Sequence, residues 1–370
     1  MSEPLRVALL SPCFFPEVRR GTERIVRDLA DGLIERGHRP RLITSHPGRA
    51  SRTVEDGLPV IRHRRLFDER LSRRWYQQYL THVPFSYASL ARGDDELAHA
   101  FFVTDAAAAV RWSARSGRPS VFSYMGLPDR PVLADRRHKL RLLEYVTGGV
   151  TQIVVLSQTA ADGMWRWLGV RPRVIYPGVD LGDFTPEPAE RAPEPTIFCA
   201  AAPDDARKRV ALLAAAFALV RRERPDARLV VIRPNDPATV RRYGLDQDGI
   251  EFLDPVDEPV KLAPAYRRAW VSALPSYREA FGVVLIESLA CGTPVVGARS
   301  GAIPEVLSSE RVGIQFDGED EREVARCLLD GFELSQDRAT AGACRERAAD
   351  FSTARTTEAH LDLYRELLGR

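Results

Sequence analysis

A short helix that is apolar on nearly every side constrains this chain more than any other feature. From Gly282 the sequence reads GVVLIESLA, and on a helical wheel Val283, Val284, Leu285, Ile286, Leu289 and Ala290 cover almost the whole circumference. Such a helix belongs inside the protein. It must also be short, because Cys291-Gly292-Thr293-Pro294 supplies a glycine for a left-handed exit and a proline that cannot continue it. Val271–Leu274 before it and Val295-Val296-Gly297 after it read as buried strands. Glu287 falls within the apolar arc, and Glu279 stands eight residues earlier in the preceding loop. A buried carboxylate needs hydrogen-bond donors, and no basic residue of this helix supplies them. The hydroxyls of a bound sugar would.

The same alternation of strand and helix runs from the first residues, as expected of a parallel sheet with helices on both faces. Val7–Leu10, Pro40–Thr44, Val60–Arg62, Glu96–Ala100, Pro119–Tyr124, Ile153–Leu156 and Val174–Tyr176 read as strands, with an amphipathic helix over Thr22–Arg36 that ends at Gly37. A second series follows: strands at Thr196–Ala200, Arg228–Ile232, Ile250–Leu253 and Val271–Leu274, and helices at Val210–Arg222 and Leu262–Arg268. Between them, Pro177–Pro195 holds five prolines and almost no apolar periodicity, so it reads as a linker. At 370 residues the chain exceeds what one core serves, and two domains are the default. Their expected bounds are 1–178 and 196–350, joined by 179–195 and followed by a terminal amphipathic helix within 351–370.

Charge and cysteine usage exclude several classes. With 53 Lys+Arg against 51 Asp+Glu, the net charge of +2 gives no reason to expect a nucleic-acid partner. The five cysteines are scattered, without metal-ligand spacing or a disulfide framework. No apolar stretch approaches the roughly 18 residues that span a bilayer, and the start suits a first strand better than a signal peptide. A cytoplasmic protein is the expectation.

Two helix starts go against the usual charge rule, by which a helix N-terminus attracts carboxylates. Arg19-Arg20-Gly21-Thr22-Glu23-Arg24 opens the first helix, where Gly21 lets a ligand approach the backbone. Asp205-Ala206-Arg207-Lys208-Arg209-Val210 opens the helix after the first strand of the second series. Each arrangement is mildly unfavourable until an anion arrives.

The string SYREAFG…ESLACGTPVV…GAIPEV, with its Glu279-x7-Glu287 spacing, resembles the retaining glycosyltransferases of family 4. The resemblance implies the GT-B fold: two facing Rossmann-like domains, a cleft between them, and a C-terminal helix crossing back to the first domain. It implies transfer of a hexosyl group from a nucleotide diphosphate sugar, with retention of configuration and no metal. By position, Glu279 would meet the hexose and Glu287 the ribose, with backbone N–H groups of Ala280, Phe281 and Gly282 at the helix start. Lys208 would grip the diphosphate, neutralising charge that grows as the glycosidic bond breaks. Arg207 or Arg209 would assist it. The Arg20-Gly21 loop resembles the family's Gly-Gly loop, with Arg20 in place of the first glycine.

The chain also departs from the pattern. Ala202 holds the place of a family arginine, for which Arg207 or Arg209 would have to compensate, and Met125 holds that of a family histidine after VFSY. His99 matches another recurrent histidine. Arg20, His99, Met125 and Arg209 are therefore secondary site candidates. No Asp-x-Asp pair stands at a strand end poised for a cation, and Asp204-Asp205 reads better as pairing or capping. No cofactor beyond the sugar donor is implied. The acceptor, whether small molecule, glycan or lipid-linked, would fall to the first domain. There Ile61–Leu80 mixes arginines with Phe67, Leu71, Trp75, Tyr76 and Tyr79, a composition suited to peripheral contact with an anionic membrane at the inner face. The competing readings are a nucleotide-sugar-binding protein with impaired catalysis and a nucleotide-sugar epimerase on the same fold.

Overall fold

The computed structural model describes residues 3–66, 79–133, 135–256 and 258–370. It divides into two units, Met1–Pro177 with Thr353–Arg370, and Gly178–Ser352. The aromatic-basic stretch expected over Ile61–Leu80 lies largely outside the described residues. Its ends belong to a strand and to a turn at Leu80–His82.

The first unit is built on an eight-stranded sheet of β1 (Arg6–Leu10), β2 (Arg39–His46), β3 (Ser51–Glu55), β4 (Leu58–Arg64), β5 (Leu97–Ala100), β6 (Ser120–Tyr124), β7 (Gln152–Val155) and β8 (Arg173–Val174). The order is β3-β4-β2-β1-β5-β6-β7-β8. All neighbours are parallel except β3 and β4, an antiparallel hairpin of which the sequence reading had β4, at Val60–Arg62, but missed β3. Its helices include α1 (Gly21–Glu35), α2 (Val83–Ala91), α3 (Val103–Ser116), α4 (Arg137–Gly149) and α5 (Gln158–Leu168). From β1 the chain first builds toward β2 and then returns to build toward β5. That reversal is the switch point at whose strand ends open α/β sheets bind ligands.

The second unit has a six-stranded, all-parallel sheet of β9 (Thr196–Cys199), β10 (Arg228–Ile232), β11 (Ile250–Leu253), β12 (Val271–Leu274), β13 (Val295–Ala298) and β14 (Gly313–Phe316), in the order β11-β10-β9-β12-β13-β14. Here the reversal falls at β9. The helices include α6 (Val210–Glu223), α7 (Pro237–Arg242), α8 (Ala263–Arg268), α9 (Val283–Ala290), α10 (Glu321–Gln336) and α11 (Thr340–Ala349). As the wheel requires, Leu285 through Ala290 of α9 are all buried.

The proline-rich segment read as a linker is instead part of the second unit. Phe184 is buried, and the Arg345 guanidinium collects the carbonyls of Leu181, Phe184 and Ala290. Trp270 donates its indole N–H to Ala192 O at 2.8 Å. Prolines remove backbone donors but leave carbonyls, and side chains of the second unit supply the missing partners. The final helix, α12 (Thr353–Leu368), returns to the first unit, where Leu361, Leu363 and Tyr364 join the core made by Val26, Leu29 and Leu33 of α1. Among the described residues no helix is long and apolar enough to cross a membrane.

Candidate active site

Three loops of the second unit meet beyond the carboxyl ends of the adjacent strands β9, β12 and β13. After β9, Asp205 accepts the backbone N–H of Arg207 at 3.0 Å and so caps a single turn over Ala206–Lys208. After β12 comes the loop that carries Glu279. The two loops are joined three ways. Tyr277 N–H donates to Arg207 O at 2.7 Å, Arg209 Nε donates to Pro275 O at 2.6 Å, and Lys208 Nζ donates to Glu279 Oε2 at 2.6 Å. The charged pair is mostly buried, Lys208 being 21% and Glu279 13% exposed, so water screens it only partly. The sequence reading placed these two residues in one site, and the structure brings them into contact.

The backbone on either side of the pair is strained. Arg209 has φ 47° and Arg278 φ 56°, a left-handed conformation that costs a non-glycine residue about 1–3 kcal/mol. What holds Arg278 and Glu279 in place is the third loop, after β13. Arg278 N–H donates to Ser300 Oγ at 2.8 Å, and Ala302 N–H donates to Glu279 O at 2.9 Å. Gly301, at φ 62°, lies so close that a Cβ there would come within 2.2 Å of Glu279 O. Sequence reasoning missed Tyr277, Ser300 and Gly301. The Gly-x-x-Pro spacing of Gly301 and Pro304 stood in the string quoted for the resemblance, but nothing local says which backbone the glycine must admit.

Glu287 is buried in α9, as the wheel places it, but it does not lack a donor. Its carboxylate is buried, and Oε2 accepts the Tyr266 hydroxyl of α8 at 2.7 Å, among Phe198 and Phe184. The protein itself therefore supplies a donor, and the argument that a bound sugar is needed to satisfy this carboxylate is corrected. The partner lies 21 residues away in sequence, which is why the helix alone did not reveal it. Phe281 is also buried, against Phe351, so only its backbone is available to a ligand. Gly282, at φ 89°, precedes the first turn of α9, and Ala280 is half-buried beside it.

The cations flanking Lys208 are engaged with protein. Arg207, 58% exposed, pairs with Asp205 at 2.6 Å. Arg209 reaches Gly318 O as well as Pro275 O and stands 3.4 Å from Glu319. Compensation for the missing cation at Ala202 would require Arg207 to leave Asp205, or Arg209 to leave the carbonyls of Pro275 and Gly318. Asp204 holds the loop after β10, accepting from Asn235 N at 2.7 Å and from the Thr239 hydroxyl at 3.2 Å. Burial raises its pKa, but these bonds outweigh that and hold the carboxyl below its usual range.

In the first unit Glu23 and His99 find their partners within the fold. At the start of α1, Glu23 accepts the Arg20 N–H at 3.1 Å and the Cys13 thiol at 3.2 Å while 1% exposed. The helix start read as lacking an anion already holds one in its first turn, and the demand for an arriving ligand is corrected there. Gly21 has open space where a Cβ would stand. His99 is fully buried, with Nδ1 bonded to the Tyr364 hydroxyl at 2.6 Å and Nε2 to Ser123 Oγ at 2.7 Å. It fastens α12 to the sheet, and both nitrogens are taken. Burial, and then the nearby His360, push its pKa well below the usual histidine range. Met125 packs against the α1 core.

Each unit is an α/β sheet whose strand order reverses at a switch point, and the second holds a charged pair there. The chain belongs to the family-4 glycosyltransferases: residues 19–183 match the Glycosyltransferase Family 4 model and residues 194–333 the Glycosyl transferases group 1 model. Among curated relatives, it is 35% identical over 257 residues to a D-inositol 3-phosphate glycosyltransferase of Saccharomonospora viridis, an alignment that covers 61% of this chain and 58% of that protein. It is 32% identical over 208 residues to a phosphatidyl-myo-inositol mannosyltransferase of Propionibacterium freudenreichii, covering 54% and 52%. The chain thus spans little more than half the length of these relatives. Among solved structures, a sucrose-phosphate synthase from Thermosynechococcus elongatus superposes with a TM-score of 0.83 at 23% identity, covering 99% of each chain. The Anabaena HepE protein, solved with UDP-glucose, gives 0.73 at 16% identity, covering 97% of this chain and 99% of its own. These likenesses establish the GT-B fold.

Proposed function

We propose that this chain transfers a hexosyl group from a nucleotide diphosphate sugar to an acceptor, with retention of anomeric configuration and without a metal. The observation that carries the reading is the Lys208–Glu279 contact, buried, flanked by two strained residues and fixed by a third loop. Strain of this kind persists where surrounding structure over-determines it, and it clusters at functional sites. In this reading Lys208 turns from Glu279 to the departing diphosphate, where a cation lowers the barrier. Glu279, released, accepts a hydroxyl of the sugar. Glu287, oriented by Tyr266, meets the ribose, and Ala280, Phe281 and Gly282 offer backbone N–H groups. HepE, a protein of the same fold solved with UDP-glucose, supports a sugar nucleotide as donor. The acceptor belongs to the first unit, and a site in the cytoplasm, in contact with the membrane's inner face, suits a lipid-borne one.

The test is a panel of UDP-, GDP- and ADP-sugars, first for thermal stabilisation and then for turnover. A donor that binds only the folded state raises the melting temperature. Lys208→Ala should retain the fold and lose roughly 100- to 1,000-fold in kcat. If wild-type protein binds a donor yet neither hydrolyses nor transfers it with any acceptor tried, the transferase reading fails and the binding-protein reading stands. Product formed from donor alone, as an epimer, would establish the epimerase.

A further inference from the structure

We propose that a cavity in the first unit binds the apolar tail of an anionic amphiphile, and that this amphiphile is the acceptor. The second part rests on the glycosyl-transfer reading above. The cavity, of about 480 Å³, lies beside the carboxyl ends of two strands and against α4. Tyr124 is the last residue of β6, and Val103 the first of the helix after β5, so the cavity lies one and two strands from the switch point at β1. Its volume is that of a small-molecule site, about 300–1,000 Å³.

The walls are apolar. Val103, Tyr124, Val132, Leu133, Leu140 and Leu143 supply most of them. Leu133 and Leu143 belong to a buried core cluster, on which Val103, Tyr124 and Leu140 pack, so the floor is rigid. Val132 is 49% exposed. Asp135 and Lys139 also line the cavity, but they pair with each other at 3.0 Å and bring it no net charge. A sugar phosphate alone would leave these walls in contact with water. An alkyl or prenyl chain would cover them.

The segment that supplies most of the lining has the opposite character on its exposed positions. From Asp129 to Glu144 the chain carries five Lys and Arg against three carboxylates, and Arg130, Arg137 and Arg141 are exposed. Apolar walls and a segment with exposed cations complement one molecule: a tail with a phosphate or comparable anion at its head. A neutral aglycone would use the walls and ignore the cations, and a free anion would do the reverse.

The experiment is calorimetric titration of the full chain with decyl phosphate below its micellar concentration, beside decyl maltoside and inorganic phosphate. Saturable one-to-one binding of decyl phosphate at least ten-fold tighter than either control is expected. Val132→Glu replaces a half-exposed side chain at the cavity and should weaken decyl phosphate at least ten-fold with the melting temperature unchanged. Arg137→Glu with Arg141→Glu should bring decyl phosphate down to the level of decyl maltoside. Equal binding of decyl phosphate and either control, or undiminished binding by Val132→Glu, overturns the proposal. Donor hydrolysis is read separately: a protein that turns over donor but ignores decyl phosphate loses this inference alone. One that binds decyl phosphate but turns over no donor keeps the cavity and loses the transferase reading.

Discussion

In the first unit the charged and polar groups near the switch point bond to one another: Glu23 closes the start of α1, and His99 spends both nitrogens on Ser123 and Tyr364. In the second unit the corresponding loops hold Lys208 against Glu279 at the cost of two left-handed residues, with cations crowded around a helix that opens only at Val210. In the first region these bonds run from a carboxyl group to a backbone N–H and a thiol, and from a histidine to two hydroxyls, with no ion pair among them. The other keeps a mostly buried ion pair, an arrangement whose desolvation cost rivals its Coulomb gain. A fold that keeps a costly pair in place for stability alone would do better with apolar side chains. The difference therefore points to the second unit as the place where charge is held for a ligand.

The comparison breaks most visibly at Gly301. Gly301→Ala drives a Cβ into the backbone of Glu279 and imposes φ 62° on a residue that resists it. Donor turnover should fall about 100-fold, the scale of an ångström-level misplacement. Steady-state kinetics that find full rate in this variant would detach the third loop from the site. Next comes Tyr266→Phe, which removes a donor from the buried Glu287 carboxylate. A loss of roughly 1.5–3 kcal/mol in the stability of the second unit is expected, read by denaturant unfolding. An unchanged midpoint would mean that Glu287 is satisfied without Tyr266.

Acid should act on the first unit. Burial holds His360 at about 4 and His99 well below the usual histidine value, so both stay neutral when folded. Above pH 6.5 neither state takes up a proton at these sites. Below it the unfolded chain does and the folded one does not, so stability falls with pH until His360 itself titrates near 4. Each histidine contributes about 1.4 kcal/mol per pH unit in that window. Melting curves at pH 7 and pH 5 should show the loss, and His360→Gln should reduce it. The smallest effect is at Gly21, where a Cβ meets nothing within 4 Å. Gly21→Ala should leave stability within about 0.5 kcal/mol, so a raised donor KM in this variant would report ligand approach and not unfolding.

Much of this was legible in the chain. Parallel strands announced themselves as short apolar runs, and Arg228–Ile232, Ile250–Leu253, Val271–Leu274 and the final helix fall where periodicity places them. Strand β3 of the hairpin escaped because Ser51–Glu55 is a polar edge strand with no apolar face. The hairpin's turn, Asp56-Gly57 with φ 48° and 82°, was a readable signal, since two successive positive φ values suit a tight hairpin. The Lys208–Glu279 pair came from the resemblance, and geometry then gave it neighbours. Tyr266 beneath Glu287 and Gly301 against Glu279 were not legible, because each acts across a distance that only the folded sheet closes. The proline count misled in the opposite direction: Pro177–Pro195 looked unstructured because it lacks donors, and Arg345, Arg267 and Trp270 provide them.

The return of α12 to the first unit carries a consequence for synthesis. Leu361, Leu363 and Tyr364 complete a core whose other members, from Leu5 to Ile175, leave the ribosome long before them. Gly178–Ser352 has all its strands in hand first, so the second unit can mature while the earlier one is still waiting for its last helix. Removing residues 353–370 would accordingly injure the half of the protein that was translated first.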